Sequence, residues 1–245
     1  MQTAWLKNYY PVEFMAALMT SVIDNSAKLA EYLGCCKTMG IKVLPPDMNV
    51  GRGEFAPEGE HIRYGLYAIQ ALRHQVIDRI IEERELGGVY HTLSDFIQRT
   101  TDRDVNKRAV ENLIKAGACD GLDGTRKQMI AVYSTLIDQE NQQKKNHMSG
   151  QMSLFDFASE EVKQDFAVKY PPVGELDKEM LLSFEKEVLG VYLTGHPLEN
   201  YIEKMQKNVT VNNAAFVRDE ETGVTDVQDN DHVVIGGMIV SKNIK

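Results

Sequence analysis

No apolar run in the 245-residue chain approaches the roughly twenty residues that cross a bilayer, and no signal-peptide pattern precedes Trp5. Cysteine is scarce. Cys35, Cys36 and Cys119 lack metal-ligand spacing, and adjacent cysteines seldom bridge each other, so reduced thiols in a cytoplasmic protein are expected. The six histidines are scattered, and His196 sits in a Gly-His-Pro turn that suits a structural role. There is no P-loop, no Gly-x-Ser-x-Gly and no His-Glu-x-x-His. Two-metal phosphoryl chemistry needs converging carboxylates. Here Asp102 and Asp104 lead into a helix, and Asp229 and Asp231 lie in a polar loop. No catalytic residue, metal ligand or cofactor is therefore expected within the chain. A basic excess is missing too. Formal net charge is −9; residues 1–149 hold 18 Lys and Arg against 19 Asp and Glu, and residues 150–231 hold 7 against 17. Any contact with DNA has to come from a local patch rather than an overall field.

What is present is a glycine-punctuated pair of helices between Asn106 and Ile137. Asn106 is a good N-cap, and Val110, Leu113 and Ile114 share one helical face. Gly117 stands where a helix ends in a left-handed residue. Thr125 and Gln128 form a capping box that opens a second helix, whose apolar face carries Met129, Ile130, Tyr133, Leu136 and Ile137. Lys115, Arg126 and Lys127 flank the turn. A tight turn beside a helix N-terminus offers N–H donors and partial positive charge, which suits a phosphate of duplex DNA without reading its sequence. Lys115, Gly117, Arg126 and Lys127 are the candidate DNA-binding residues. An ordinary helical hairpin with solvated lysines is the competing reading.

Around this hairpin the pattern is mainly α. Residues 1–56 read as short helices, the third capped by Ser26, then an extended run into Pro45-Pro46. Residues 57–137 read as a compact helical domain: a short strand over His61–Ile69, a helix ending at Gly87-Gly88, a Thr92/Asp95 capping box, and the hairpin. Residues 138–173 read as a linker, poor in apolar side chains from Asp138 to Gly150. Within it lies Gln151–Phe157, QMSLFDF, where Leu154, Phe155 and Phe157 are apolar anchors amid polar sequence. Such an arm suits docking into a partner's pocket; folding back onto the helical domain is the alternative. Residues 174–231 read as a helical connector, with a helix over Leu176–Val191 packing through Met180, Leu181, Phe184, Val188 and Leu189. Residues 232–245 open with a β-branched strand that has no partner downstream. The chain is thus expected to be cut at both ends.

Several of these stretches together resemble one family. QTAWLKNYYPVEFMAALMTSV at Gln2–Val22 and LPPDMN at Leu44–Asn49 resemble the end of the fingers region in bacterial DNA polymerase III alpha subunits. RAVENLIKAGACDGL at Arg108–Leu122 is similar to that family's tandem helix-hairpin-helix domain, EKEVLGVYLTGHPL at Glu185–Leu198 to the segment before its OB domain, and HVVIGGMIV at His232–Val240 to that domain's first strand. QMSLFDF resembles the family's motif for binding the sliding clamp.

The resemblance implies a fingers remnant (1–56), a tandem helix-hairpin-helix domain (57–137), a clamp-binding linker (motif 151–157), a connector and a truncated OB-fold. It implies weak, non-specific duplex binding and tethering to the sliding clamp through Gln151, Ser153, Leu154, Phe155 and Phe157. Other holoenzyme subunits are implied as partners, and no membrane. The family's catalytic aspartates and their Mg²⁺ belong to a palm upstream of Met1. One departure stands out: the first hairpin's usual glycines are replaced by Ala71 and Arg73, whose side chains hinder approach to phosphate and shift the expected contact to the second hairpin. A stand-alone adaptor that binds DNA and docks onto the clamp is the alternative; a nuclease module would need carboxylates the sequence does not offer.

Overall fold

The structure, a computed structural model, describes residues 2–101, 105–148, 169–217 and 225–239. The chain divides into two compact units, Met1–Thr194 and Gly195–Lys245.

The first unit opens with three helices: α1 (Gln2–Tyr9), α2 (Pro11–Ser21) and α3 (Ser26–Thr38). Pro11 sits in the first turn of α2, where its missing N–H removes no helical bond. The cap of α3 is Asn25 rather than the expected Ser26; its side chain accepts from Lys28 N at 3.1 Å. Asn25 holds the extended backbone a cap needs, and Ser26 is already helical. Met15, Met19, Leu29 and Cys36 are buried between α2, α3 and the sheet that follows.

The sheet has three very short strands, β1 (Val43–Leu44), β2 (Ala56–Glu58) and β3 (His61–Arg63), in the order β1-β3-β2. β3 runs parallel to β1 and antiparallel to β2, with Ile62 opposite both Val43 and Pro57. The strand expected over His61–Ile69 stops early because Gly65 presses on neighbouring backbone, where a Cβ would lie 2.7 Å from Gly53 O. Beyond it Leu66–Ala68 winds into a 3₁₀ turn, with Leu66 N bonded to Arg52 O and Tyr67 N to Gly53 O.

Four helices complete the hairpin region: α4 (His74–Gly87), α5 (Leu93–Thr100), α6 (Lys107–Ala116) and α7 (Arg126–Met148). Their apolar faces meet in one core that includes Ile77, Ile80, Phe96, Val110, Leu113, Ile114 and Met129, all nearly inaccessible. Thr92 caps α5 by accepting from Asp95 N at 3.0 Å, and Asp95 accepts in return from His91 N. The linker expected from residue 138 does not begin there, since α7 continues to Met148. Gln, Glu and Lys are good helix formers despite their polarity. Buried Ile137, the Lys107–Asp138 pair (2.6 Å) and Lys144 Nζ on Thr101 O anchor the extension to the domain.

Helix α8 (Lys178–Leu189) closes the unit, capped by Asp177 and ended by left-handed Gly190. Its inward face differs from the expected one: Leu182, Glu185, Val188 and Leu189 are buried, whereas Met180 is exposed. Glu185 is tolerated inside because its carboxylate accepts from Leu193 N, Thr194 N and Thr194 Oγ1 at 2.9, 3.0 and 2.6 Å.

The second unit holds a 3₁₀ turn (Glu199–Tyr201), helix α9 (Ile202–Asn208) and a further 3₁₀ turn (Asn213–Phe216). The Gly-His-Pro turn is latched locally, with His196 N donating to Glu199 Oε1 and Leu198 N to His196 Nδ1. The strand expected from His232 is absent among the described residues 232–239. There Thr210 N bonds Val234 O and Val234 N bonds Thr210 Oγ1, both at 2.9 Å, and Gly236 lies against Val209 and Met205. One such exchange does not make a ladder.

Candidate nucleic-acid interface

The second hairpin is built as its sequence dictates. Asn106 Oδ1 accepts from Ala109 N at 3.1 Å, starting α6. Gly117 (φ 82°) ends it, with Gly117 N bonded to Ile114 O and Ala118 N to Leu113 O. After the turn, Thr125 N donates to Gln128 Oε1 at 2.9 Å and Gln128 N to Thr125 Oγ1 at 3.3 Å, the reciprocal pair that opens α7.

The candidate residues cluster here, but three of the four are already engaged. Arg126 is buried, its side chain 7% exposed, and its guanidinium grips Asp120 in a two-bond fork of 2.7 and 2.6 Å. Its third contact is Lys115 O at 3.3 Å, a carbonyl at the end of α6. Gly117 makes room for this fork, since a Cβ there would lie 2.2 Å from Arg126 Nη2. Burial alone would lower the Arg126 pKa, but the bonds from Asp120 outweigh it and raise it. Arg126 therefore ties the two helices together. Lys115 is paired with Glu111 (3.0 Å) and Glu187 (2.8 Å) and lies 5.2 Å from the Phe184 ring centroid. Burial again opposes its charge, and the two carboxylates more than compensate, raising its pKa. Lys127 alone of the four exposes its side chain.

Sequence reasoning missed the segment that covers this hairpin. The Tyr170 ring lies against Gly124, where a Cβ would be 3.2 Å from Cε2, and its hydroxyl donates to Asp123 Oδ1 at 3.1 Å. Gln128 Nε2 donates to Pro171 O at 3.0 Å. The Glu175 carboxylate then accepts from Arg126 N (2.9 Å) and Lys127 N (3.2 Å), the first two amides of α7. Two donors expected to face a ligand therefore face a carboxylate 48 and 49 residues away in sequence. No local pattern marks that pairing.

The first hairpin, between the Leu66–Ala68 turn and α4, is barer. Ala71 adopts φ 61°, the left-handed conformation a glycine would take without strain. Arg73 is the N-cap of α4 in ordinary extended backbone and makes no side-chain capping bond. Gln70, Ala71, Arg73, His74 and Gln75 are all exposed. The turn is fixed from beneath, by Gln70 N on Val188 O (2.7 Å) and Asn112 Nδ2 on Gln70 O (3.3 Å). Gln70 and Ala71 also border an open cavity of about 500 Å³ shared with Arg108, Asn112 and Lys115. The clamp-type residues Gln151, Ser153, Leu154, Phe155 and Phe157 lie outside the described residues.

A family model described as a helix-hairpin-helix motif matches residues 40–129. The DNA polymerase III subunit alpha of Vibrio cholerae is 39% identical over 227 residues, 90% of this chain and 19% of the relative. That of Deinococcus radiodurans is 41% identical over 203 residues (82% and 15%), and that of Mycobacterium tuberculosis 36% over 244 (98% and 20%). The chain belongs to the DNA polymerase III alpha subunit family. It spans a fifth or less of the length of these alpha-subunit relatives. The matched helix-hairpin-helix region contains both turns, so within this alpha-subunit segment Ala71 and Arg73 occupy a hairpin that keeps its backbone shape without glycine.

Proposed function

We propose that this segment holds duplex DNA and tethers a replicative polymerase to its sliding clamp. The observation that carries the first part is the helix-hairpin-helix geometry itself: a left-handed glycine, a tight turn and a helix N-terminus beside Lys127. Phosphate contact there would be sequence-independent and would involve few charges, in keeping with the nearly balanced 1–149 region. Among the described residues no group of three or more His, Cys, Asp or Glu is placed to hold a metal ion. The role assigned is holding, with nucleotidyl transfer and its Mg²⁺ left to other parts of an alpha subunit. Fingers and OB-fold assignments for 1–56 and 232–245 rest on sequence resemblance, as does a cytoplasmic setting among other holoenzyme subunits.

Titration of a labelled duplex at several salt concentrations tests the DNA reading. With about two or three phosphates neutralised, the log–log slope should be roughly −2 to −3; no salt-dependent binding would sink it. For the clamp, Gln151–Phe157 is read as an extended peptide with Leu154 and Phe155 in an apolar pocket and the Gln151 amide at its rim. Micromolar affinity, about −8 kcal/mol, is expected for the isolated contact. Replacing Leu154 and Phe155 together by Ala should abolish binding to purified clamp and leave the melting temperature unchanged. Normal binding by the double variant, or melting several degrees lower, would place both residues in the fold instead.

A further inference from the structure

Resting on that duplex-binding reading, we propose that the side chains of Glu175 and Glu187 are intramolecular competitors that occupy the second hairpin's donors until a duplex phosphate displaces them, helix α8 itself staying in place. Contacts on both sides of the turn point this way. The Glu175 carboxylate spans the N–H groups of Arg126 and Lys127, as two oxygens of a phosphodiester would. Twelve residues on, Glu187 takes the Lys115 ammonium on the other side of the turn. Between the two, Phe184 lies beneath the same ammonium, and upstream Tyr170 and Pro171 seat the strand of chain on Gly124 and Gln128.

The two carboxylates have the character of a reversible cover. Glu175 is exposed and the Glu187 side chain is 55% exposed, so release exchanges protein contacts for water at little cost. The Arg126–Asp120 fork, by contrast, is buried on the arginine side and stays closed, keeping the turn in shape when the carboxylates leave. The charge distribution agrees, with 17 acidic residues against 7 basic in 150–231 and near balance before it. Electrostatic mimicry of a phosphate by a carboxylate needs no change of fold.

The test is duplex binding by the full 245-residue chain, followed by fluorescence anisotropy with a labelled random-sequence duplex. Glu175→Gln and Glu187→Gln remove the two competing charges and keep side-chain size. Glu179→Gln removes an equal charge from the exposed first turn of α8 and serves as control. E175Q and E187Q should each tighten binding beyond E179Q, and together by about three- to tenfold, the scale of two exposed ionic contacts. The paired variant should also steepen the salt slope by about one unit, since more phosphates are then engaged. Binding no tighter than that of E179Q, or weaker with a lowered melting temperature, would show the carboxylates to be structural and overturn the proposal. Absence of binding by the parent and every variant would overturn the duplex reading itself.

Discussion

The two hairpin turns of this domain share a backbone plan and differ in how their donors are used. The second has the better sequence: an Asn cap, a left-handed glycine and a capping box. Those same features leave it self-satisfied, with Arg126 buried against Asp120 and the first amides of α7 bonded to Glu175. The first hairpin has the poorer sequence, with alanine in a left-handed position and no capping side chain, and its turn stays exposed. Good capping residues and open donors are opposed requirements, because a cap works by filling the sites a ligand would use.

The sharpest way to break this contrast is Arg126→Ala. It removes two bonds to Asp120 and one to Lys115 O, and it should destabilise the chain by about 2–4 kcal/mol. A melting temperature equal to the parent's would mean that the second turn is not tied as described. Gly117→Ala comes next. It combines a left-handed alanine with a Cβ driven into the same guanidinium, for a loss of about 1–3 kcal/mol in urea unfolding. The smallest effect, and of opposite sign, belongs to the first turn. Ala71→Gly relieves a left-handed alanine but frees the unfolded chain, leaving a gain of about 0.5 kcal/mol. Destabilisation there would show that the alanine methyl packs in the turn.

Those three positions also mark what could be read from the sequence. Asn106, Gly117 and Thr125–Gln128 were legible because each cap is decided within four residues of chain. The charge of Arg126 points to a ligand, and nothing in its immediate sequence shows that Asp120 and the absent Cβ of Gly117 draw it inward. For Lys115 the partner Glu111, four residues back, is legible in the sequence, whereas Glu187 lies 72 residues away. Residues 138–148 read as a linker on their polarity, yet the helix propensity of Gln, Glu and Lys lets α7 carry them on. The 232–239 stretch shows the opposite case: its β-branched residues suggest a strand, but they favour one only when a neighbouring strand is there to pair.

The length of α7 also governs leash geometry. Its 23 residues span about 34 Å, and the chain leaves it at Met148, at the end far from the hairpin turn. The next described anchor, Tyr170, is back at Gly124 beside the start of the same helix. Of the roughly 70–75 Å that the intervening chain can cover fully extended, close to half is consumed by this return journey. Leu154 and Phe155 follow Met148 by six and seven residues, so neither can stand more than about 25 Å from the helix end. On the proposed clamp reading, a pocket that accepted them would have to lie within that distance of Met148, which turns a covalent spacing into a ruler for how far a docked partner could stand from the end of α7.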